Sequence, residues 1–485
     1  GEGGNLGLTQ LARIEYALQG GILNTDAIDN SAGVNCSDTE VNIKILVDDI
    51  VRSGEMTSKQ RNRLLVDMTT EVSEIVLDSN RRQNEAISMT VFRGAQDIEM
   101  HYRLINQLER EKRLDRELEF LPTEETVLQR RSDSFGLTRP EMSVVLAYSK
   151  ILLKEELLNS GLPEEQCMLV MLEKAFPRCL TERYAKYMRR HQLKREIICT
   201  QLSNIVVDDV GINFIHRLQD ETGSSSVEIV KSYLVSKEVF NINVLRDEIY
   251  NLPSSIDNKI KYSMLLELNR LIRRASRWFL KNRRSGLDIE NTIELFRVHV
   301  ETVSGEIFNI IKRLSITQAQ TAYDKYINAG IDPKLALNIS SMPFMFSALD
   351  VVEAATSSDL EIVDVANVYY ILGKQLKLDW FREMIKQQGI NSHWDSLARA
   401  AFRDDVDKQQ RNLTVLIMQS NMENKDLEFD KVVSSWISSN KELFDRWEHF
   451  VQELNTSKPD FTMFAVALRE LLDLSQTISY SSRNT

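Results

Sequence analysis

Apolar residues recur at three- and four-residue intervals along most of the chain, which is the spacing of one face of an α-helix. Residues 8–19 show this spacing, and Gly20–Gly21 ends the segment as a C-cap. A second apolar stripe runs along residues 64–76. The same reasoning predicts helices over residues 37–54, 87–118, 138–158, 180–200, 226–249, 257–284, 288–314, 316–328, 360–388, 393–420, 427–454 and 459–475.

Three predicted helices begin with a capping-box pattern, in which a Ser or Thr precedes a Glu or Gln by three positions. The pairs are Ser37 with Glu40, Thr57 with Gln60, and Thr138 with Glu141. Pro140 falls in the first turn of the third helix, where its missing N–H is not needed.

The first thirty-odd residues differ from the rest. Seven of the 18 glycines fall within residues 1–33, and the first proline is Pro122. The segment 22–34 (ILNTDAIDNSAGV) reads as a short strand followed by a turn-rich loop. We therefore expect a mainly α fold with a short α/β part at the front, divided into residues 1–36, 37–120 and 121–485.

Composition and charge narrow the class of protein. A net charge of −11 argues against nucleic-acid binding. No apolar run approaches the about 18 residues of a membrane span, and no leader peptide is visible. The four cysteines show no C-x-x-C pair, which predicts buried free thiols and a cytoplasmic location. The six histidines are scattered, so we assign no metal.

The glycine-rich opening GEGGNLG does not match a phosphate-binding loop. In the G-x-G-x-x-G fingerprint the third glycine position is here Leu6, and Glu2 would repel phosphates.

Three polar residues near the front are candidate ligand contacts. Asn5 offers a donor and an acceptor, which suits a primary carboxamide, and Asn30 lies in a loop of small residues that permits close approach to a ligand. From composition alone, we favour a turn role for both residues. Ser37 lies at a predicted helix start, where N–H groups and a hydroxyl can bind a carboxylate, and capping alone also explains it.

Basic residues form one face of the predicted helix 257–284: Arg270, Arg273, Arg274, Arg277, Lys281 and Arg284. This stripe could bind an anion or nucleic acid. With an excess of acidic residues in the chain, we favour ion pairs with acidic neighbours in the same protein or in a partner subunit.

Several long blocks resemble the late catalytic region and the following part of the very large bacterial NAD-specific glutamate dehydrogenases. They include residues 1–45, QRNRLLVDMTTEV, RLDRELEFLP, GLTRPEMSVVLAYSK, ALDVVEAA, LDWFREMI and HWDSLARAAFRDDV. The front also resembles two patterns of the smaller glutamate dehydrogenases, through residues 2–9 and 26–40.

The resemblance implies a fold and a function. Residues 1–36 would end a dinucleotide-binding domain and 121–485 would form a C-terminal helical domain. Asn5 and Asn30 would face the nicotinamide end of NAD, and Ser37 would contact the side-chain carboxylate of L-glutamate. The parent enzyme would convert L-glutamate, NAD and water to 2-oxoglutarate, ammonia and NADH, as a homo-oligomer. The family's catalytic Lys and Asp lie upstream, so this fragment is expected to be inactive alone.

The alternative is a non-enzymatic helical module that assembles or regulates subunits, a description that suits residues 121–485. An independent helical scaffold without an enzymatic parent is disfavoured by the half-motif at the front.

Overall fold

The computed structural model describes residues 7–283, 286–314, 317–389, 393–420 and 428–481. Within these ranges the chain is mainly helical and contains no strand. It divides into two compact units, residues 1–234 with 279–290 and residues 235–278 with 291–485. The division falls inside helices α13, α15 and α16, whose bounds are given below.

The first unit is built around a central helix, α8. Its helices are α1 Gln10–Leu18, α2 Asp26–Asp29, α3 Ser31–Arg52, α4 Ser58–Asp67, α5 Thr69–Arg93, α6 Ile98–Arg110, α7 Glu124–Ser132, α8 Arg139–Leu158, α9 Leu169–Glu173, α10 Arg178–Met188, α11 Lys194–Val210 and α12 Phe214–Thr222. Helix α8 packs against α1, α5 and α11. Its buried apolar side chains include Val145, Leu146 and Leu157, all fully enclosed.

The second unit is organised in the same way around α22. Its helices, with those shared at the division, are α13 Ser226–Val239, α14 Ile242–Tyr250, α15 Asn258–Asn282, α16 Ile289–Arg313, α17 Thr317–Asn328, α18 Pro333–Met345, α19 Ala348–Ser358, α20 Ile362–Gln375, α21 Leu378–Gln387, α22 His393–Gln419, α23 Phe429–Ser439, α24 Lys441–Thr456 and α25 Phe461–Ser481. Helix α22 packs against α19, α20, α21 and α25.

Two of the three predicted capping boxes are confirmed. The Thr57 hydroxyl accepts a hydrogen bond from the Gln60 backbone, and the Gln60 side chain accepts one from the Thr57 backbone. Thr138 and Glu141 do the same at the start of α8.

The third predicted box, at Ser37 and Glu40, is wrong. Helix α3 begins six residues earlier, at Ser31, so Ser37 lies inside the helix and has no orphan N–H groups to cap. Glu40 instead pairs with Lys44 one turn later, at 2.5 Å.

The short strand predicted at the start of the segment 22–34 is also wrong, since no strand forms in the described part of the chain. Residues 21–25 are irregular, and the loop predicted after them is helical. The backbone of Asn24 is held by side chains rather than by a neighbouring strand: its carbonyl accepts from Arg13 and its N–H donates to Asp29.

The helix predicted over 87–118 is two helices, α5 and α6, separated by a short 3₁₀ turn at Gly94–Asp97. Gly94 has φ +56° and ψ −132°, a conformation that only glycine adopts readily. The charged segment beyond Arg110 leaves the helix and turns at Lys112, which has φ +56°.

Four other predicted helices are each split into two: 180–200, 226–249, 360–388 and 427–454. The helix predicted over 226–249 breaks at Asn241, and the one predicted over 360–388 breaks at Lys377. Both residues have a left-handed backbone conformation, with φ +50° and φ +54°. Neither residue is Gly or Pro, so a search for helix breakers passes over them.

The four cysteines are free, but only Cys199 is buried, and Cys36 is exposed. No single helix in the described ranges is both long and apolar enough to cross a membrane; α18 and α19 reach that length and composition only as a pair bent by 61°.

Candidate functional site

Helix α3 carries two of the three predicted site residues on one face. Asn30 is its N-cap and Ser37 lies seven residues further on. Seven residues correspond to almost two full turns, so the two side chains leave the helix in nearly the same direction, about 10 Å apart along its axis. Asn5 lies outside the described residues.

This face of α3 is open. Asn30 is half-buried and Ser37 exposed, while Val34 and Val41, which flank Ser37 on the same side, are 62% and 48% exposed. Neither the Asn30 amide nor the Ser37 hydroxyl makes a hydrogen bond to any described residue. Both groups are therefore available to a ligand.

Gly33 lets the Asn30 side chain lie close to the helix. A Cβ on Gly33 would come within 2.8 Å of Asn30 Oδ1. A larger residue at position 33 would therefore move the Asn30 amide.

A buried arginine fixes the segment that leads into Asn30. Arg13, on α1, is only 2% exposed. It donates from Nη1 to the Asn24 carbonyl at 2.8 Å and from Nη2 to the Asp26 carboxylate. Asp29 lies 3.5 Å from the same guanidinium. Two carboxylates of α2 thus neutralise one buried cation.

The Asn24 side chain extends this network to α5 and α8. Asn24 Nδ2 donates to Asp29 at 2.9 Å and to Asn84 Oδ1 at 2.6 Å. Arg139, from the GLTRPE block, donates to Asn24 Oδ1 at 3.1 Å and to Ser88 Oγ at 2.9 Å.

Helix α5 also holds the start of α3. Asn80 Nδ2 donates to the Ile28 carbonyl at 2.9 Å and to Ser31 Oγ at 2.7 Å. The Ile28 backbone and the Ser31 side chain, on either side of Asn30, are therefore both attached to α5, which restrains the segment that carries Asn30.

The sequence reasoning missed these supporting residues. Their signal is a polar stripe on α5: Asn80, Asn84 and Ser88 recur every four residues and so share one helix face. Arg139 belongs to a resembling block, and the sequence pattern alone gives no indication of its contact with Asn24.

The basic face of α15 meets acids within the second unit, as predicted. Arg277 pairs with Asp404 at 2.8 Å, and Arg274 lies 3.8 Å from Asp407. Arg270 pairs with Glu267 on its own helix. Burial, with repulsion from Arg403, lowers the pKa of Arg274 to about 10, and its guanidinium lies 3.9 Å from the centre of the Phe346 ring. Arg284 lies outside the described residues.

Two of the resembling blocks, ALDVVEAA and LDWFREMI, contribute to a buried ion-pair cluster in the second unit. Asp350 accepts from Trp278 Nε1 at 2.9 Å and pairs with Arg411 at 2.6 Å. Arg382 donates from Nε to Asp407 at 2.7 Å. Burial raises the pKa of Asp350 to about 6 although Arg411 opposes this. These contacts link α15, α19, α21 and α22, so a structural role in helix packing accounts for the cluster.

Among the residues described, no group of three or more His, Cys, Asp or Glu side chains could hold a metal ion.

Comparison with protein families gives two matches. Residues 134–473 match the model "Glutamate dehydrogenase, C-terminal". Residues 1–90 match the model "Bacterial NAD-glutamate dehydrogenase, catalytic domain".

Curated relatives match over nearly the whole chain. An NAD-specific glutamate dehydrogenase of Pseudomonas aeruginosa is 41% identical over 478 residues, 98% of this chain and 29% of the relative. The enzymes of the same name from Halomonas elongata and Mycobacterium tuberculosis are 38% and 32% identical over 480 residues, covering 99% and 98% of this chain and 30% and 29% of the relatives. The chain thus spans about three tenths of their length.

Proposed function

The chain belongs to the bacterial NAD-specific glutamate dehydrogenase family, and we propose that it supplies one wall of the active site of such an enzyme. The reaction is the conversion of L-glutamate, NAD and water to 2-oxoglutarate, ammonia and NADH. Residues 1–36 would end the dinucleotide-binding part, 37–120 would close the catalytic domain, and 121–485 would form the C-terminal helical domain. The assembled enzyme would be a cytoplasmic homo-oligomer.

The observation that carries the proposal is the open face of α3. A half-buried amide and an exposed hydroxyl, both without a protein hydrogen bond in the described ranges, project from it in nearly one direction. Polar groups that are positioned but not bonded suit a ligand that supplies the missing partners.

The roles follow from the chemistry of the two groups. Asn30 can donate to and accept from the carboxamide of nicotinamide, with Asn5 as a second contact. The Ser37 hydroxyl can donate to the side-chain carboxylate of glutamate. Bound NAD would accept the hydride, and this chain's residues would position it and the substrate.

Hydride transfer also needs a tuned acid–base group near the substrate. In the resembling family the catalytic Lys and Asp lie upstream of this region. We therefore expect the 485-residue chain alone to produce no NADH from glutamate and NAD.

The test is a chimera in which this chain replaces the matching segment of the Pseudomonas aeruginosa relative. NADH formation should be restored. Ser37→Ala should raise the KM for glutamate and lower kcat/KM about 10- to 100-fold, the loss of one hydrogen bond to a charged group. Asn30→Ala should raise the KM for NAD.

Ser73→Ala is the matched control for Ser37→Ala. Ser73 is also an exposed helical serine, but its hydroxyl donates to the Thr69 carbonyl of its own helix, so activity should be unchanged. Full activity of the Ser37→Ala chimera, or steady NADH production by the chain alone, would refute the proposal.

A further inference from the structure

A groove of about 520 Å³ lies in the second unit, between α19, α22 and α25. This volume is within the range of small-molecule sites in proteins. One side is apolar, formed by Val415, Leu416 and Leu472. Below, it is called the α22 groove.

Three polar residues of α22 line the groove: Lys408, Gln409 and Asn412. Lys408 and Asn412 are exposed and make no ion pair or hydrogen bond with any residue that the structure describes. Lys408 and Asn412 are i, i+4 neighbours on one helix face, so their side chains lie next to each other.

Gln409 is the most constrained of the three. It is 94% buried, being 6% exposed. Its Oε1 accepts a hydrogen bond from Ser475 Oγ at 2.8 Å. Its Nε2 has no partner in the described part of the chain. The Gln409 N–H groups are therefore donors at the groove that a water or a ligand can accept from.

Two cations and one carboxylate line the groove. Arg411 lines it beside Lys408, and the one acidic residue among its lining residues is Glu353. The Arg411 guanidinium is paired with the buried Asp350 carboxylate at 2.6 Å, so Lys408 is the lining cation that has no ion pair with a described residue.

We propose that the α22 groove binds a small organic anion. Its carboxylate would lie at the ammonium group of Lys408. Its other polar groups would complete the hydrogen bonds of Gln409 and Asn412, and its carbon skeleton would lie against Val415, Leu416 and Leu472. The site is independent of the open face of α3, and its function would be regulatory or structural rather than catalytic.

The experiment is a titration of the 485-residue chain with sodium succinate, followed by ligand-observed NMR, with inorganic phosphate and choline chloride as separate probes. We expect saturable succinate binding with a Kd below about 10 mM, weaker phosphate binding, and no choline binding. Lys408→Gln should weaken succinate binding at least about fivefold, and Lys408→Glu should abolish it.

Lys431→Gln is the matched control, because Lys431 is 78% exposed on α23 and Glu428 is its ion-pair partner among the described residues; succinate affinity should not change. Lys408 is exposed, so its variants should fold, and Gln409→Ala adds a second measurement at the groove floor. Absence of saturation, equal affinity of the wild type and Lys408→Gln, or phosphate binding tighter than succinate would overturn the proposal.

Discussion

Gly136 lies directly against the backbone of Gly94: a Cβ on Gly136 would come within 3.0 Å of the Gly94 carbonyl oxygen. Gly94 is the residue at which α5 ends, and Gly136 belongs to the GLTRPE block that starts α8. The close approach of these two glycines therefore joins the end of one helix to the start of another within the first unit.

Replacing either glycine should destabilise the first unit. Gly94→Ala forces a Cβ into a positive-φ conformation, and we expect a loss of about 1–3 kcal/mol in the free energy of unfolding. Gly136→Ala must displace a backbone carbonyl and should have a similar effect. Urea unfolding followed by circular dichroism measures both.

Gly161→Ala is the control, because Gly161 has φ −83° and no heavy atom within 4 Å of the added Cβ. Its free energy of unfolding should change by less than about 0.5 kcal/mol. Equal stability of all three variants would contradict the close contact.

Arg13→Ala should strongly destabilise the segment that carries Asn30. The substitution leaves Asp26 and Asp29 without their shared buried cation and removes a hydrogen bond from the Asn24 carbonyl. Breaking a buried ion pair in this way costs about 3–5 kcal/mol. The unfolding midpoint in urea reports the loss.

Arg63→Ala tests the same change of residue at the surface. Arg63 is 86% exposed and 4.0 Å from Asp67, so the expected loss is below about 0.5 kcal/mol. Similar losses for the two variants would show that Arg13 contributes no more than a surface ion pair.

The sequence predicted helices well where the pattern itself defines their ends. Thr138, Pro140 and Glu141 specify the start of α8 by local chemistry, and the structure confirms it. The breaks at Asn241 and Lys377 were missed because both residues adopt a left-handed backbone conformation although neither is glycine or proline.

The candidate site was predictable only in part. Ser37 matched a capping pattern, but α3 extends further because Asn80 bonds Ser31 and the Ile28 carbonyl from another helix. The polar stripe on α5 is visible in the sequence, but it does not reveal which distant segment its side chains bond. The placement of Asn30 and Ser37 on one face could be inferred only after the true start of α3 was known, and their ligand roles stay predictions.

Gly373→Ala and Gly305→Ala should have opposite effects in the second unit. A Cβ on Gly373 would lie 2.6 Å from Gln410 Nε2, which donates to the Tyr369 carbonyl at 2.8 Å. Moving Gln410 breaks that buried bond, so we expect a loss of about 1–3 kcal/mol.

Gly305 is exposed within α16, with open space around an added Cβ. Alanine there reduces backbone entropy in the unfolded chain and should stabilise the protein by about 0.5–1 kcal/mol. Thermal unfolding midpoints should therefore move in opposite directions. A shift of both midpoints in the same direction would contradict the packing at Gly373.

His101 should make stability fall as the pH falls through the range from about 6.5 to about 4. It is 1% exposed on α6, and its Nδ1 has no partner among the described residues. Burial, aided by Arg93 and opposed by Asp97, lowers the pKa of His101 from 6.5 to about 4. Over this interval the unfolded chain binds a proton that the folded chain excludes, so acid favours unfolding.

His101→Gln removes this titration. The stability difference between wild type and variant should be constant above about pH 7 and shift by a few kcal/mol in favour of the variant by about pH 4. His449→Gln, at a side chain that is 68% exposed, should retain the wild-type dependence on pH. Urea unfolding at several pH values gives both curves, and parallel curves for wild type and His101→Gln would show that His101 is protonated equally in both states.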